Sequence, residues 1–599
     1  MTTESLLGAP GATPDLAVGL ALGLVLGLYL FLKGLGDQTL RLDEARTALA
    51  VGHGRPYPWV PEERRCLYDS GNLDRGGLPL LHTWGQFYLA ELGWFLARLV
   101  GPGRLSGANH PAGWLRLPFA LAGWGAAWSM AVFCGGLAGP RAGLMALLVA
   151  LTSPGLLLHS RQCRYYGPSM LTAGLFLVAL ARAHLGGGMA WWALAGLALA
   201  GSYHFDWVSS YGLGLAAAVA GLAYREAGVA LTLGLAVVLA LPWIFFLKRR
   251  IGRTSSVPIV QNLRAGRVGP REIVILGAHT FWIYLWKIQA YAAPFLTVGL
   301  GGLATGLAAL ATGPVPADLG YGLALAALVI GGVAFTRSVT RLVFTRYVSA
   351  AFPAAVALAA FGLDLIWRAS PVAGWCVLAL TLFTNGSALL PHFLLRTLAA
   401  VRVPARLLAF VKGPVGLFTA NLSSGAFARL KARPEFTLPR YLASLHRRYP
   451  TRTEAVAAYL REAVHDGAVD PADLILADTQ EAPALALHSG LRVESLRGGP
   501  GAGVDEALGA ADVVVGGGLF PPDGRKEFAA RRARGEFQEV VVLAEAPDRY
   551  LDNAETPERY RYGFRPWPAG VALYYRGQER GQERGQERGH ERGQGGGRP

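Results

Sequence analysis

The chain has 599 residues, 52% of them hydrophobic and 16% charged, and the apolar ones concentrate before residue 400 in runs near twenty residues. Runs of that length match a bilayer core and exclude an ordinary soluble globular protein. Lys plus Arg number 56 against 40 Asp plus Glu, a formal net charge of +16. The arginines sit at helix ends and in loops, where they suit lipid headgroups or a phosphate-bearing substrate, so nucleic acid is set aside as a partner.

The N-terminal segment Met1 to Asp15 lacks a basic stretch, and the first apolar run is long enough to remain as an anchor rather than a cleaved signal. Eleven stretches are candidates for spanning: 15–35, 114–137, 142–159, 168–185, 189–206, 208–224, 227–247, 275–312, 319–336, 347–367 and 372–400. The expected class is a polytopic α-helical membrane protein, residues 1–400, followed by a polar domain. The halves show no similarity to each other, which removes support for an inverted-repeat transporter.

The polar segment 36–113 opens on Arg41-Leu42-Asp43-Glu44-Ala45-Arg46. Adjacent carboxylates at the mouth of a membrane helix are costly unless hydrated or used for chemistry. A solvated helix start, with acids in its first turn, is the plain alternative. Further along, Leu80, Leu81, Trp84, Phe87, Tyr88, Leu92 and Phe95 recur near helical spacing. They read as an amphipathic helix in the membrane interface, or as a short span opposed by Glu91 and Arg98. An N-terminus inside the cell puts Arg141, Arg182 and Arg225 on the cytoplasmic side and 36–113, with eight arginines and eight acids, outside.

On the same face as Asp43 lies His159-Ser160-Arg161-Gln162-Cys163-Arg164-Tyr165-Tyr166. Two arginines three apart can grip a phosphate, and they equally suit a snorkelling cluster in an aromatic belt. Tyr203-His204-Phe205-Asp206-Trp207, Lys248-Arg249-Arg250 with Arg253, and Arg337, Arg341, Arg346 and Tyr347 reach that face too. His204 and Asp206 are too few for a metal site, and a hydrogen-bonded interfacial histidine is the simpler reading. Of the four cysteines, Cys66 and Cys163 could share an aqueous face and a disulfide, although Cys66, Cys134, Cys163 and Cys376 show no metal-binding spacing.

Beyond residue 400 the short runs Leu474-Ile475-Leu476-Ala477, Val513-Val514-Val515 and Val540-Val541-Val542-Leu543 alternate with helical or Gly-rich stretches, after an amphipathic helix over 440–465. This predicts an α/β domain over 401–576 with a mainly parallel sheet. Gly516-Gly517-Gly518 could be a phosphate turn, but it matches no G-x-G-x-x-G pattern and reads rather as a plain tight turn. The Gly-Gln-Glu-Arg repeats of 577–599 have no apolar face and read as a disordered tail.

Taken in order, Asp43-Glu44 after the first span, Trp114-Leu115-Arg116-Leu117-Pro118, Ser153-Pro154, Ser160-Arg161-Gln162-Cys163-Arg164-Tyr165-Tyr166, and Arg346-Tyr347 before Phe352-Pro353 resemble the GT-C glycosyltransferases. The branch is that of protein O-mannosyltransferases and lipid A aminoarabinose transferases. The resemblance covers about residues 15–400, more faintly the α/β tail. It implies an inverting transfer of a sugar from a polyprenyl-phosphate donor to a lipid, glycan or protein acceptor. The active site and the C-terminal domain would be extracytoplasmic, in the bacterial inner (plasma) membrane. By it, Asp43 matches the family's catalytic acid position and Glu44 its neighbour, while Arg161, Arg164 and, more weakly, Arg346 match the cations that hold the donor phosphate. Where the family often shows Lys-Pro-Pro this chain has Gly77-Leu78-Pro79, with Arg75 as the nearby cation, and Tyr165 and Tyr166 stand where the family carries an Asp. Arg75, Tyr165, Tyr166 and His204 are therefore substrate-binding candidates. No cofactor is fixed by the resemblance, and a divalent metal ion stays open. A lipid or glycan transporter or flippase, or a non-catalytic protein of the same fold serving envelope assembly, are the competing readings.

Overall fold

The computed structural model describes residues 14–36, 40, 42–68, 73, 76–79, 84–100, 112–251, 270–310, 317–338, 345–384, 387, 437–445, 452–477, 481–495, 504–516, 522–543 and 571–576. They fall into two compact units. The first lies within Met1–Lys33 and Phe119–Leu445, the second within Gly34–Pro118, His446–Asp552 and Phe564–Pro599. The disordered-tail expectation for 577–599 and most of Gly516-Gly517-Gly518 lie outside the described residues.

The first unit is helical throughout its described part. Six described helices are long and apolar enough to cross a bilayer: Ala112–Ala138, Tyr166–His184, Trp207–Tyr224, Val229–Phe246, Asp318–Ser338 and Thr345–Ala369. Pro140–Thr152 and Pro154–Ser160 would add a seventh as one span bent by 60°, and Ala21–Leu32, Phe295–Gly306 and Pro371–Phe383 are shorter apolar helices. The bend has a local cause. Pro154 cannot donate to the preceding turn, and the Ser153 hydroxyl caps the new helix by accepting the Leu156 N–H at 3.2 Å. Helices Trp207–Tyr224 and Ala317–Ser338 approach through small residues, since a side chain at Gly212 would meet the Gly332 backbone at 2.6 Å.

The second unit joins the segment after the first apolar helix to the C-terminal α/β fold. Its five-stranded sheet has the order β2-β1-β3-β5-β4, with β1 Ile475–Ala477, β2 Val493–Ser495, β3 Val513–Val515, β4 Phe537–Leu543 and β5 Val571–Arg576. β2, β1 and β3 run parallel, Ile475 opposing both Val493 and Val513, whereas β5 is antiparallel to β3 and β4. The sheet is therefore mixed rather than mainly parallel, because β5, unread in the sequence, enters in the reverse direction. The period-two pleat sorts its side chains onto two faces. Leu476, Val514 and Tyr574 pack with Leu508, Phe528 and Phe537 on one face. Ile475, Ala477, Val513, Val515 and Leu573 pack on the other with Val456, Leu460 and Leu485, and with Leu49 and Leu67 from the early polar segment. That segment thus completes the domain's core rather than looping free of it.

Within the same unit, helix Gly85–Val100 buries Phe87, Ala90, Gly93 and Ala97 and exposes Tyr88, Leu92, Phe95 and Leu99. Its two charged side chains hold the backbone of one residue, Gly52, on both sides. The Glu91 carboxylate accepts the Gly52 N–H at 2.6 Å, and Arg98 donates to the Gly52 carbonyl at 2.8 Å. Of the helix expected over 440–465, the described residues form Thr437–Leu445, in the first unit, and Arg452–His465, in the second, and 446–451 lie outside the described residues. All four cysteines are free thiols.

Candidate functional site

The chemistry-bearing side chains form two groups, one in each unit. In the second unit, the acidic pair opens the eight-residue helix Leu42–Leu49. So short a helix is marginal by itself, so its position depends on tertiary anchors. Glu44 is buried and gripped by Arg116, whose Nε and Nη2 donate to its two carboxylate oxygens at 2.8 and 2.7 Å. The third guanidinium nitrogen, Nη1, donates to the Leu35 carbonyl at 3.1 Å. This is the planar two-point grip that arginine makes and lysine cannot. On the following turn Arg46 Nε donates to the Leu67 carbonyl at 2.9 Å, the Tyr68 hydroxyl donates to the Arg46 carbonyl, and Thr47 donates to the Asp43 carbonyl at 3.0 Å. Asp43 itself is half-buried. The two adjacent acids therefore have different surroundings: Glu44 sits in a buried ion pair, while part of Asp43 stays open to solvent.

The same unit holds a histidine that sequence reasoning missed. His488, buried in the last turn of helix Ala482–Ser489, accepts the Leu40 N–H on Nε2 at 3.1 Å. Burial, with Arg116 and Arg461 nearby and Glu44 opposing them, pulls its pKa down to about 4.

In the first unit, the break between Pro154–Ser160 and Tyr166–His184 delivers His159, Arg164, Tyr165 and Tyr166 to one place. The Arg164 guanidinium lies 5.7 Å from the Tyr165 ring centre, Tyr165 is edge-on to Tyr166 at 4.6 Å, and Tyr166 is edge-on to His159 at 5.3 Å. Tyr165 is within electrostatic reach of Asp206, Arg337 and Tyr347. Asp206 caps helix Trp207–Tyr224, accepting the Ser209 N–H at 3.4 Å and its hydroxyl at 2.7 Å, and forms a buried ion pair with Arg337. The Tyr347 ring lies 5.3 Å from both the Arg337 and the Arg346 guanidinium. Arg164 and Arg337 are buried and Arg346 is half-buried. Three guanidiniums, four aromatic or imidazole rings and one carboxylate thus gather where four chain segments meet. Charged groups placed inside an apolar bundle are expensive unless paired, as Asp206 and Arg337 are.

Not every candidate joins these groups. Arg161 Nη1 donates to the Leu30 and Phe31 carbonyls at 3.0 and 3.2 Å, at the end of helix Pro14–Leu32, where the Tyr441 hydroxyl also donates to Leu30 at 3.0 Å. A cation there satisfies terminal carbonyls and the negative end of the helix dipole. His204 is edge-on to Tyr203 at 6.0 Å. Arg75 lies outside the described residues. Among the described residues no three His, Cys, Asp or Glu side chains gather to hold a metal ion. Glu44 and Asp206 are each committed to an arginine, so the described residues do not fit such a site.

No family model and no curated protein matches the chain. Among solved structures it is similar to ArnT from Cupriavidus metallidurans bound to undecaprenyl phosphate, at 15% identity and a TM-score of 0.45, over 94% of this chain and 98% of that one. It is also similar to the archaeal oligosaccharyltransferase AglB from Archaeoglobus fulgidus in complex with an inhibitory peptide and a dolichol-phosphate. There the identity is 12% and the TM-score 0.44, over 84% of this chain and 69% of the other. Six described helices long and apolar enough to cross a bilayer, or seven with the bent pair, together with the five-stranded sheet of the C-terminal α/β fold, make the chain a polytopic helical protein with an α/β domain.

Proposed function

We propose that this protein is a glycosyltransferase that moves a sugar from a polyprenyl-phosphate carrier to a hydroxyl-bearing acceptor, a lipid, glycan or protein, outside the plasma membrane of a bacterium. The observation that carries this reading is the buried arginine and tyrosine cluster of the helical unit. A lipid-linked phosphate enters from the bilayer, so its binding groups belong inside a membrane bundle, and guanidiniums beside aromatic rings suit it.

In the transfer, the acceptor oxygen attacks the anomeric carbon from the face opposite the phosphate. The carbon–oxygen bond to the carrier breaks with its electron pair going to the phosphate, and the configuration inverts. Asp43, partly exposed, takes the acceptor proton on its carboxylate as the new bond forms. Arg164 and Arg346 hold the departing phosphate, whose charge grows as the bond breaks. Arg337, neutralised by Asp206, orders Tyr347 and Ser209 beside them. Tyr165 and Tyr166 supply rings and hydroxyls for the sugar. Glu44 and Arg161 act through structure, the first by fixing the acidic helix and the second by capping the first apolar helix.

The test is Asp43→Asn in the purified full-length protein, which keeps shape while removing the proton acceptor. It should bind polyprenyl-phosphate sugar as wild type does and transfer it about 10²–10⁴-fold more slowly. Normal transfer by a folded Asp43→Asn protein removes Asp43 from the reaction. Unaltered transfer by Arg164→Ala and Arg346→Ala removes the phosphate role. Movement of lipid without covalent transfer would point to a flippase instead.

A further inference from the structure

We infer that His488 is a positioning residue for transfer: its contact with the Leu40 N–H ties the α/β fold to the start of the helix that carries Asp43. The inference rests on the reading of Asp43 as the base.

Leu40 lies two residues before helix Leu42–Leu49 and is buried. Its N–H precedes the first helical hydrogen bonds, and a buried N–H without an acceptor is costly to leave unpaired. The acceptor comes from 448 positions away along the chain, on Nε2 of His488. An imidazole that accepts on Nε2 carries its proton on Nδ1, so the ring is neutral and its tautomer fixed. The ring is itself held. Helix Ala482–Ser489 packs on helix Leu42–Leu49, and Arg461 donates to the His488 carbonyl at 3.3 Å.

The acidic helix is thus pinned at its entry by His488, at Glu44 by Arg116, and at Arg46 by the Leu67 carbonyl and the Tyr68 hydroxyl. Glu44 and Arg46 fix rotation and depth. Leu40 fixes how the chain enters, and Asp43 follows three residues later. A base must lie within hydrogen-bond reach of the proton it takes, and displacement by about 1 Å can cost about 10²-fold in rate. The C-terminal fold would then contribute to transfer through the shape of the acidic helix, without touching the sugar. The charged groups that face the ring are Arg116, Arg461 and Glu44. Arg116 and Arg461 oppose a proton on Nε2, and Glu44 is neutralised by Arg116.

The test compares His488→Ala with His488→Gln in full-length protein, because the glutamine carbonyl oxygen can occupy the Nε2 position. His488→Ala should lower kcat about 10–100-fold with little change in KM for the lipid donor. His488→Gln should restore most of the rate. Hydrogen exchange at the Leu40 amide should quicken in the alanine variant and return toward wild type in the glutamine one. If His488→Ala does not fold, His488→Asn replaces it, since its side chain is too short to reach Leu40. Wild-type turnover with a loosened Leu40 amide overturns the positioning role, as does an equal rate for Asn and Gln variants. A Leu40 amide unchanged in exchange shows that the contact does not form and overturns it as well. Asp43→Asn is measured alongside. Normal transfer by that variant sinks the base reading, while the Leu40 exchange still reports on the contact itself.

Discussion

The Glu44–Arg116 pair permits a prediction with a worked magnitude. Both side chains are almost fully buried, at 6% and 5% exposure, and the guanidinium's third hydrogen bond goes to the Leu35 carbonyl. Glu44→Ala leaves a buried guanidinium facing an apolar gap, and Arg116→Ala leaves a buried carboxylate. Breaking such a pair from one side costs about 3–5 kcal/mol, because the remaining charge has lost its water and its partner. At roughly 1.4 kcal/mol per tenfold, that equals about two to three and a half decades in local opening. The assay is hydrogen exchange over Leu42–Leu49 in purified full-length protein, read together with the thermal midpoint. The double variant Glu44→Leu/Arg116→Met fills similar volume without charge and should cost far less than the two single changes added together. Single variants that each quicken exchange less than about tenfold, or a double variant as damaged as their sum, would refute the claim that this ion pair holds the helix.

Two further predictions concern groups outside the pair. His488 has a folded pKa near 4 against an ordinary 6.5, so on acidification the unfolded chain takes up a proton first. The stability linked to this group is complete above about pH 6.5 and fades as pH falls toward 4, by about 3 kcal/mol in total. Unfolding midpoints measured across that window should lose this part of the slope in His488→Gln. Arg161→Ala should lower the thermal midpoint, since it removes the arginine donor from the Phe31 carbonyl and leaves the Leu30 carbonyl to Tyr441, while leaving donor-lipid affinity near wild type. A tenfold or greater loss of affinity in a stable Arg161→Ala protein would return Arg161 to the phosphate.

The apolar runs were legible in the sequence because bilayer thickness imposes a length that composition alone reveals. The α/β tail was legible where β-branched runs are buried on both faces, as in Val513–Val515. β2, Val493–Ser495, escaped because it is three residues with a Glu at its centre, and β5 because its Tyr-Tyr-Arg ending does not look like a core strand. Among site residues, the gathering of Arg164, Tyr165, Tyr166, Asp206, Arg337 and Tyr347 followed from chain order and span ends. Their partners did not, since the Asp206–Arg337 pair crosses 131 positions. One signal was overlooked. A lone acid inside an apolar run implies a cationic partner, and Asp364, fully buried, is held by the partly exposed Arg141 at 2.7 Å and by the partly exposed Arg368, four residues on, at 2.6 Å. Arg116, at the start of another apolar run, gave the same hint about Glu44. His488 gave none, because a histidine in a polar region carries no periodic or spacing signature.

The two adjacent carboxylates show how burial can divide labour between neighbours in sequence. Successive residues on an α-helix point about 100° apart, so fixing one fixes the direction of the next. Glu44 faces Arg116 in the interior of the unit, and that contact turns Asp43 toward the partly exposed side of the helix. A solvated helix start would leave both acids in water. A metal site would turn both toward one ion. Neither arrangement matches a pair in which one acid is spent on a buried arginine and the other is held at a set angle from it. The buried Glu44–Arg116 pair thus sets the angle of Asp43, and the proposed role of Asp43 as a proton acceptor that meets a hydroxyl at a fixed distance requires that rigidity.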